Sequence, residues 1–387
     1  MSTMPNYTPL PVTFVKGEGA WLWDIHGKRY LDALSGIAVC GLGHSHPAIT
    51  AAICEQAGKL LHTSNLYNIP NQQELADTLT QVTKMERVFF CNSGAEANEA
   101  ALKIARLYGH QQGCLKPTVI VTEGSFHGRT LATLSATGNP KVQQGFAPLV
   151  EGFVRVPYND IEAIAKLAGN SQIVAVLVEP VTGEGGVKVP ADDYLVKLRS
   201  LCDQNNWLLM LDEIQTGMGR TGKWCAFQHT DILPDVITLA KGLGNGIPIG
   251  ACLTRGKVAT ILQPGTHGST FGGNPLVCKT ALAVINTIQQ DNLLSRVQEL
   301  SERFKQGFKK NLTNVTGIKE IRIKGLMIGI ELEQACGHLV SKALEHNLLI
   351  NVTAEKVIRL LPPLILTNQQ ADEIIVTVSN LVKEELA

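Results

Sequence analysis

Between residues 85 and 255 short apolar runs rich in β-branched residues recur, and helix-like segments separate several of them. The runs are Arg87–Cys91, Thr118–Thr122, Gly152–Val156, Ile173–Glu179, Trp207–Asp212, Val236–Ala240 and Ile249–Thr254, with helical patterns at Ala95–His110 and Asp192–Asn205. A strand with one wet face alternates polar and apolar residues. These runs are continuously apolar, as strands covered on both faces must be, and alternation with helices implies parallel pairing. The pattern predicts an α/β fold with a mostly parallel central sheet. In such sheets ligands sit beyond the carboxyl ends of the strands.

The flanks differ from this middle. The N-terminal part has strand-like runs at Ala20–Asp24 and Arg29–Ala33, then a Gly/His-rich loop, Gly41–Pro47. Beyond residue 280 come an amphipathic stretch, Leu293–Asn311, strand-like runs at Ile318–Ile323 and Leu326–Leu332, a helical Gly337–His346 and a final helix from Asn368. This grouping predicts a smaller α+β unit. The expected division is an N-terminal segment 1–50 belonging to the smaller unit, a large α/β domain 51–280, and a C-terminal α+β domain 281–387.

Several classes are disfavoured by composition. Lys plus Arg and Asp plus Glu are 34 each, and no basic run stands out, so no nucleic-acid partner is expected. The longest apolar runs are strand-sized, well short of the roughly 20 residues of a membrane helix, so no membrane partner is expected. The nine cysteines are scattered with no CxxC pair, which argues against a zinc or redox motif and for a reducing cytoplasm. The first 21 residues lack a basic segment followed by an apolar one, the mark of a signal peptide.

Five places carry candidate chemistry, most just after a strand-like run. Asn92–Glu99 opens a helix, with Ser93 as cap and Glu96 three residues on, a capping box. The N–H groups of Gly94 and Ala95 then form an anion site suited to phosphate; the segment reads equally well as a plain cap. In Phe126–Thr130 the aromatic can stack on a flat ring and Arg129 can hold a carboxylate, although a core Phe beside a surface Arg explains the segment as well. Asp212 ends an apolar strand, where an acid is costly unless paired; it can hold a ring N–H⁺ or cap the next turn. Lys241 sits in an apolar strand-to-loop junction, where desolvation favours a nucleophilic amine suited to Schiff-base chemistry. Ser269 and Thr270 stand in the Gly-rich loop Gly268–Pro275, able to ligate phosphate or to serve as turn residues.

Two other patterns compete. Gly217–Gly222 matches GxGxxG but opens no helix, so a dinucleotide site is disfavoured. His44 and His46 suggest a metal ligand pair, but no further ligands accompany them; no metal is expected.

Taken in order, Trp21–Asp24, Asn92–Glu99, Phe126–Arg129, Val178–Pro180 with Gly183–Gly186, Leu211–Gln215, Ala240–Gly242 and Ser269–Asn274 resemble the class III pyridoxal-phosphate (PLP) aminotransferases. Each segment alone is unspecific, whereas the ordered set is specific and spans nearly the whole chain. The resemblance implies the fold-type I architecture of PLP enzymes. It implies that Lys241 carries the cofactor covalently and moves the substrate proton as general base and acid. Asp212 would pair with the pyridinium nitrogen, Gln215 would sit near the phenolic oxygen, and Glu213 and Ile214 between them would belong to the same cofactor contact. Phe126 would stack on the ring, and the Gly94 and Ala95 amides would bind the phosphate. Thr270 of a second subunit would complete that site, making the protein a homodimer with shared active sites. Arg129 and Ser269 would contact substrate.

Within the class, Ser35–Val39, Phe126–Thr130 and Ile358–Pro363 make the similarity greatest to members of arginine biosynthesis that pass the δ-amino group of N2-acetylornithine to 2-oxoglutarate. Related donors are succinylornithine, ornithine, 4-aminobutyrate and succinyldiaminopimelate. Glu184 and Arg359 match a family pair that handles two unlike substrates, Glu184 neutralising Arg359 while the donor binds and moving aside for 2-oxoglutarate. Two features depart from or refine the pattern. Cys40 stands where a small polar residue is expected, near the donor's path. Ser35-Gly36-Ile37 lacks the tyrosine associated with ornithine-specific members.

Overall fold

Seven strands form the central layer: β4 (Arg87–Cys91), β5 (Thr118–Thr122), β6 (Phe153–Val156), β7 (Ile173–Val178), β8 (Leu208–Asp212), β9 (Val236–Leu239) and β10 (Gly250–Thr254). The computed structural model describes residues 2–387. The strand order is β4-β10-β9-β8-β7-β5-β6. Neighbours from β9 across to β6 pair in parallel, and their continuous apolar sequences match their burial: every residue of β7, β8, β9 and β10 is buried. The chain is therefore a mixed α/β protein with a mostly parallel central sheet, as its apolar runs predict.

One strand departs from the parallel pattern. β10 runs antiparallel to both β9 and β4. The link from β9 to β10 spans only residues 240–249 and contains one 3-10 turn, Lys241–Leu243. That is too short for the helical crossover a parallel neighbour requires. The short link keeps Lys241 beside the carboxyl edge of the sheet.

The helix Gly94–Gln111 packs on the sheet through small residues, Ala97, Ala100, Ala101 and Ala105, which allow close approach. Its cap differs in one detail from the expected box. Ser93 accepts the Glu96 N–H at 3.2 Å, but the Glu96 carboxylate reaches back to the Asn92 N–H at 2.5 Å, one residue earlier than a capping box requires.

Two four-stranded sheets flank this layer. The N-terminal meander β1 (Phe14–Glu18), β2 (Trp21–Asp24) and β3 (Arg29–Asp32) is extended by β13 (Leu348–Leu349), which pairs in parallel with β3. The Ser35 hydroxyl also donates to the Leu361 carbonyl at 2.6 Å, so the two chain ends are joined. The other sheet has the order β11 (Ile318–Lys324), β12 (Met327–Leu332), β15 (Val357–Leu360) and β14 (Asn351–Thr353). Its Arg322 donates to the carbonyls of Gly186 (2.7 Å) and Val187 (3.1 Å), fastening the loop after β7 to this sheet.

The GxGxxG segment Gly217–Gly222 lies in turns, and the next helical residues begin only at Ala226. Buried Arg220 within it donates to the carbonyls of Leu326 and Pro362, so the segment ties the central layer to the C-terminal part. Among the described residues no helix is long and apolar enough to cross a membrane.

Candidate active site

A cavity of about 450 Å³ opens beyond the carboxyl ends of β4, β5, β7, β8 and β9. Its wall includes Gly94, Ala95, Phe126, Arg129, Glu184, Asp212, Ile214, Gln215 and Lys241. Five separate chain segments therefore converge where an α/β sheet places ligands.

Lys241 follows the end of β9 with φ +44°, a left-handed conformation that a residue with a Cβ rarely adopts. Such backbone is retained where surrounding structure over-determines it. Burial first, and the Arg359 guanidinium second, pull its ammonium down from 10.5 to about 8. Glu184, Asp212 and Glu179 oppose this with their negative charge. The result is an amine with a sizeable neutral fraction near physiological pH, able to act as a nucleophile.

Asp212 is buried at the end of β8 with both carboxylate oxygens hydrogen-bonded. Its Oδ2 accepts from Asn98 Nδ2 and from His127 Nδ1, each at 2.8 Å, and its Oδ1 accepts the Ile214 N–H at 3.1 Å. Asn98 also donates to the His127 carbonyl and accepts from the Thr238 hydroxyl, both at 2.8 Å. This network links helix Gly94–Gln111, the Phe126 loop and β9 around one carboxylate.

Glu179 joins two further wall segments. Its Oε2 accepts the Phe126 N–H (3.1 Å) and its Oε1 the Gly183 N–H (3.0 Å), which ties the aromatic to the loop bearing Glu184. Burial foremost raises its carboxyl to about 7. Phe126 is partly buried, with the exposed Arg129 guanidinium 5.8 Å from its ring centre. Gly128 lets this loop approach the helix start: at its φ of +141°, a Cβ would lie 2.9 Å from that of Ala95 and 2.5 Å from the Thr133 hydroxyl.

Arg359 comes from β15, and its side chain is fully buried. Nη1 donates to Glu184 Oε1 at 2.7 Å and Nε to Asn351 Oδ1 at 2.9 Å, while the buried Nη2 has no partner. Arg359 approaches the cavity behind Glu184 and is not itself part of the wall.

Three other expected residues are also outside this wall. Glu213 corrects the expectation of a cofactor contact. Side chains alternate sides along an extended chain, and with Asp212 facing the cavity Glu213 turns away. Its carboxylate accepts the Ala226 and Phe227 N–H groups at 2.9 Å each and the Thr216 hydroxyl. Burial raises it to about 7. Ser269 stands behind Asn92, accepting its Nδ2 at 3.2 Å and the Gly272 N–H at 3.0 Å. Thr270 is exposed on the outer surface of this chain. Near the mouth Val39 lines the wall, whereas Cys40 backs it: a Cβ added to wall residue Gly246 would lie 3.9 Å from the Cys40 sulfur.

Asn98, His127 and Glu179 were within segments singled out by sequence but had no assigned role. His127 and Glu179 are polar residues between apolar or Gly/Pro neighbours, whereas Asn98 stands between Ala97 and Glu99. That pattern marks burial but does not identify the partner.

The donor set fits PLP. The free N–H groups of a helix start suit the phosphate, a supported buried carboxylate suits a protonated ring nitrogen, and an aromatic and a partly neutral lysine amine suit the ring and its aldehyde. The buried Gln215 Oε1 in the wall has no protein partner, leaving it available to the ligand.

Comparison with known proteins agrees with this fit. The family model for class III aminotransferases matches residues 2–382. The chain is 57% identical to the acetylornithine aminotransferase of Nitrosomonas europaea over 380 residues, covering 98% of this chain and 97% of that protein. It is 49% identical to the acetylornithine aminotransferase of Aquifex aeolicus, covering 96% and 97%. Among solved structures, the ornithine aminotransferase of Toxoplasma gondii superimposes with a TM-score of 0.96 at 34% identity, covering 99% of this chain and 93% of the other. The N-acetylornithine aminotransferase of Stenotrophomonas maltophilia gives 0.85 at 36% identity, covering 97% of each.

Proposed function

The chain belongs to the class III aminotransferases, PLP-dependent enzymes, and from that premise we propose that it transfers the δ-amino group of N2-acetylornithine to 2-oxoglutarate. The products are N-acetylglutamate 5-semialdehyde and glutamate, a step of arginine biosynthesis. The Glu184–Arg359 pair beside Lys241 supports the reading most directly. It is a buried cation that a carboxylate can cover or leave, which two substrates of unlike charge near the reacting carbon require. The names of the similar proteins support the choice of donor.

PLP, when bound, supplies an electron sink and carries the amine between the two half-reactions. The residues of this chain then have separate tasks. Lys241 would hold the cofactor through its amine and, as a free amine, would move the proton from the donor's Cδ. Asp212, hydrogen-bonded by Asn98 and His127, would pair with the ring nitrogen. The Gly94 and Ala95 N–H groups would hold the phosphate, Phe126 would stack on the ring, Ile214 would belong to the same contact, and Gln215 would sit near the ring's hydroxyl oxygen. Arg129 would hold the donor's carboxylate end, whereas Ser269, behind Asn92 and outside the wall of its own chain, has no such task there. Glu184 neutralises Arg359 during the donor half and turns aside so that Arg359 takes a carboxylate of 2-oxoglutarate.

We infer that two chains form a homodimer in which Thr270 of each completes the phosphate site of the other. Thr270 lies on the surface beside Phe271, Leu66 and Tyr67, which are 61%, 85% and 69% exposed. Asn65 bonds the carbonyls of Ser269 and Gly272, so these two loops form one apolar surface. Such a patch is costly in water unless covered. The same reading takes residues 51–280 as the cofactor domain, with 1–50 and 281–387 as the smaller unit, and places the enzyme in the cytoplasm.

The test is single-turnover absorbance of the PLP-loaded protein without acceptor. N-acetylornithine should bleach the cofactor's visible band faster than ornithine, succinylornithine, 4-aminobutyrate or succinyldiaminopimelate, and 2-oxoglutarate should restore it. A faster bleach with another donor would reassign the substrate; failure to take up PLP would overturn the reading as a whole.

A further inference from the structure

Arg359 meets its carboxylate through one nitrogen only. A guanidinium fork frequently makes a two-point contact with both carboxylate oxygens. Here Glu184 meets only Nη1, through Oε1, and Nη2 is buried and unpartnered. The third edge, Nε, is taken by the neutral side-chain oxygen of Asn351 at 2.9 Å. Asn351 and Arg359 are directly opposite in the antiparallel pair β14–β15, so the register of the sheet brings them together.

The same short strand also holds Glu184. Thr353, two residues beyond Asn351, donates its hydroxyl to the Glu184 backbone carbonyl. Arg322 holds the following carbonyls of Gly186 and Val187. The backbone of the Glu184 loop is thus anchored while the Glu184 side chain keeps 38% exposure. Exchange at Arg359 then needs only rotation of the Glu184 side chain, with the main chain fixed on both sides.

Once Glu184 leaves, the contact from Asn351 is the side-chain hydrogen bond that remains on the guanidinium. An amide oxygen aims the guanidinium without cancelling its charge. A carboxylate at this position would aim it equally well but would neutralise it permanently. We propose that Asn351 is a positioning residue for the dicarboxylate half-reaction: it fixes Arg359 by its Nε edge and leaves the Nη1–Nη2 edge charged and oriented for a two-point contact with an incoming carboxylate. This rests on the reading that Arg359 receives 2-oxoglutarate.

The test uses PLP-loaded Asn351→Ala, Asn351→Asp and Arg359→Ala. Two readouts are taken: calorimetric binding of glutarate, an unreactive dicarboxylate, and single-turnover rates of each half-reaction. Asn351→Ala is expected to weaken glutarate binding and raise the KM for 2-oxoglutarate about tenfold, the effect of losing one hydrogen bond to a charged group. Asn351→Asp keeps the shape and should weaken both further, by about a hundredfold, through charge cancellation. The donor half-reaction and the absorbance of the loaded enzyme should stay as in the wild type. Equal loss in both half-reactions, or Asn351→Asp binding glutarate as well as the wild type, would overturn the proposal while Arg359→Ala still abolished glutarate binding. Unchanged glutarate binding in Arg359→Ala would instead overturn the reading on which it rests. Should Asn351→Ala fold poorly, the isosteric Asn351→Asp decides by itself.

Discussion

Asn98→Ala should damage stability and catalysis together, and the two effects can be separated. Asn98 is fully buried and makes three hydrogen bonds, to Asp212 Oδ2, the His127 carbonyl and the Thr238 hydroxyl, all at 2.8 Å. Truncation leaves all three partners short of a bond in a dry site. A neutral bond contributes about 1 kcal/mol and one to a charged group about 1.5–3 kcal/mol, so the loss in stability should be about 3–5 kcal/mol. The catalytic loss comes from the Asp212 bond alone. A carboxylate with one fewer donor is less favoured in its charged form and holds the ring nitrogen's proton less firmly. At about 1.4 kcal/mol per factor of ten, the donor half-reaction should slow about ten- to hundredfold. Thr238→Val is the control: it removes the far-side bond, costs about 1 kcal/mol and leaves the Asp212 contact in place. Denaturant unfolding of the loaded enzyme and stopped-flow absorbance measure the two effects. A wild-type donor rate in Asn98→Ala, or an equal slowing in Thr238→Val, would refute the assignment of Asn98 as a support of Asp212.

Four further outcomes follow from the site. In the cofactor-free protein the Lys241 amine should capture PLP at a rate that rises with pH through about 8, the value set by burial and Arg359, and not only near 10.5; a profile governed by 10.5 would refute the desolvated amine. Because the folded value is depressed, the unfolded chain binds the extra proton between about 8 and 10.5, so stability of the cofactor-free protein should increase across that window and the penalty should be fully present below it. Lys241→Met, which has no such proton, should be more thermostable than the cofactor-free wild type at pH 7 and should show no covalent cofactor band; equal melting temperatures would contradict the burial. Glu213→Ala should lower stability by about 2–3 kcal/mol through loss of the bonds to the Ala226 and Phe227 N–H groups, yet leave the wavelength of the bound cofactor unchanged; a shifted band would return Glu213 to the cofactor.

Much of the site could be read along the chain because the cofactor's needs are met locally. A Gly at a helix start, an acid at a strand end and a lysine after an apolar strand each sit in a pattern that their neighbours define. The supports of those groups could not be read in the same way. Asn98 and His127 meet on Asp212 from positions 114 and 85 residues away. Asn351 and Glu184 meet on Arg359 although 167 residues separate 184 from 351. Glu213 lies beside Asp212 and Ile214 in sequence but not in the site, because an extended backbone sends consecutive side chains to opposite sides.

The sequence by itself determined the alternation of covered strands and helices, and with it the class of fold and the edge of the sheet where ligands bind. Those properties depend on composition within windows of a few residues, where burial on both faces requires unbroken apolar runs. Only the tertiary structure decided the direction of β10, because a link of ten residues is too short for a crossover. It also decided which polar groups share a proton or a charge. Hydrogen bonds act over about 3 Å of space, and no spacing along the chain encodes which distant side chains the folded layers will bring within that distance.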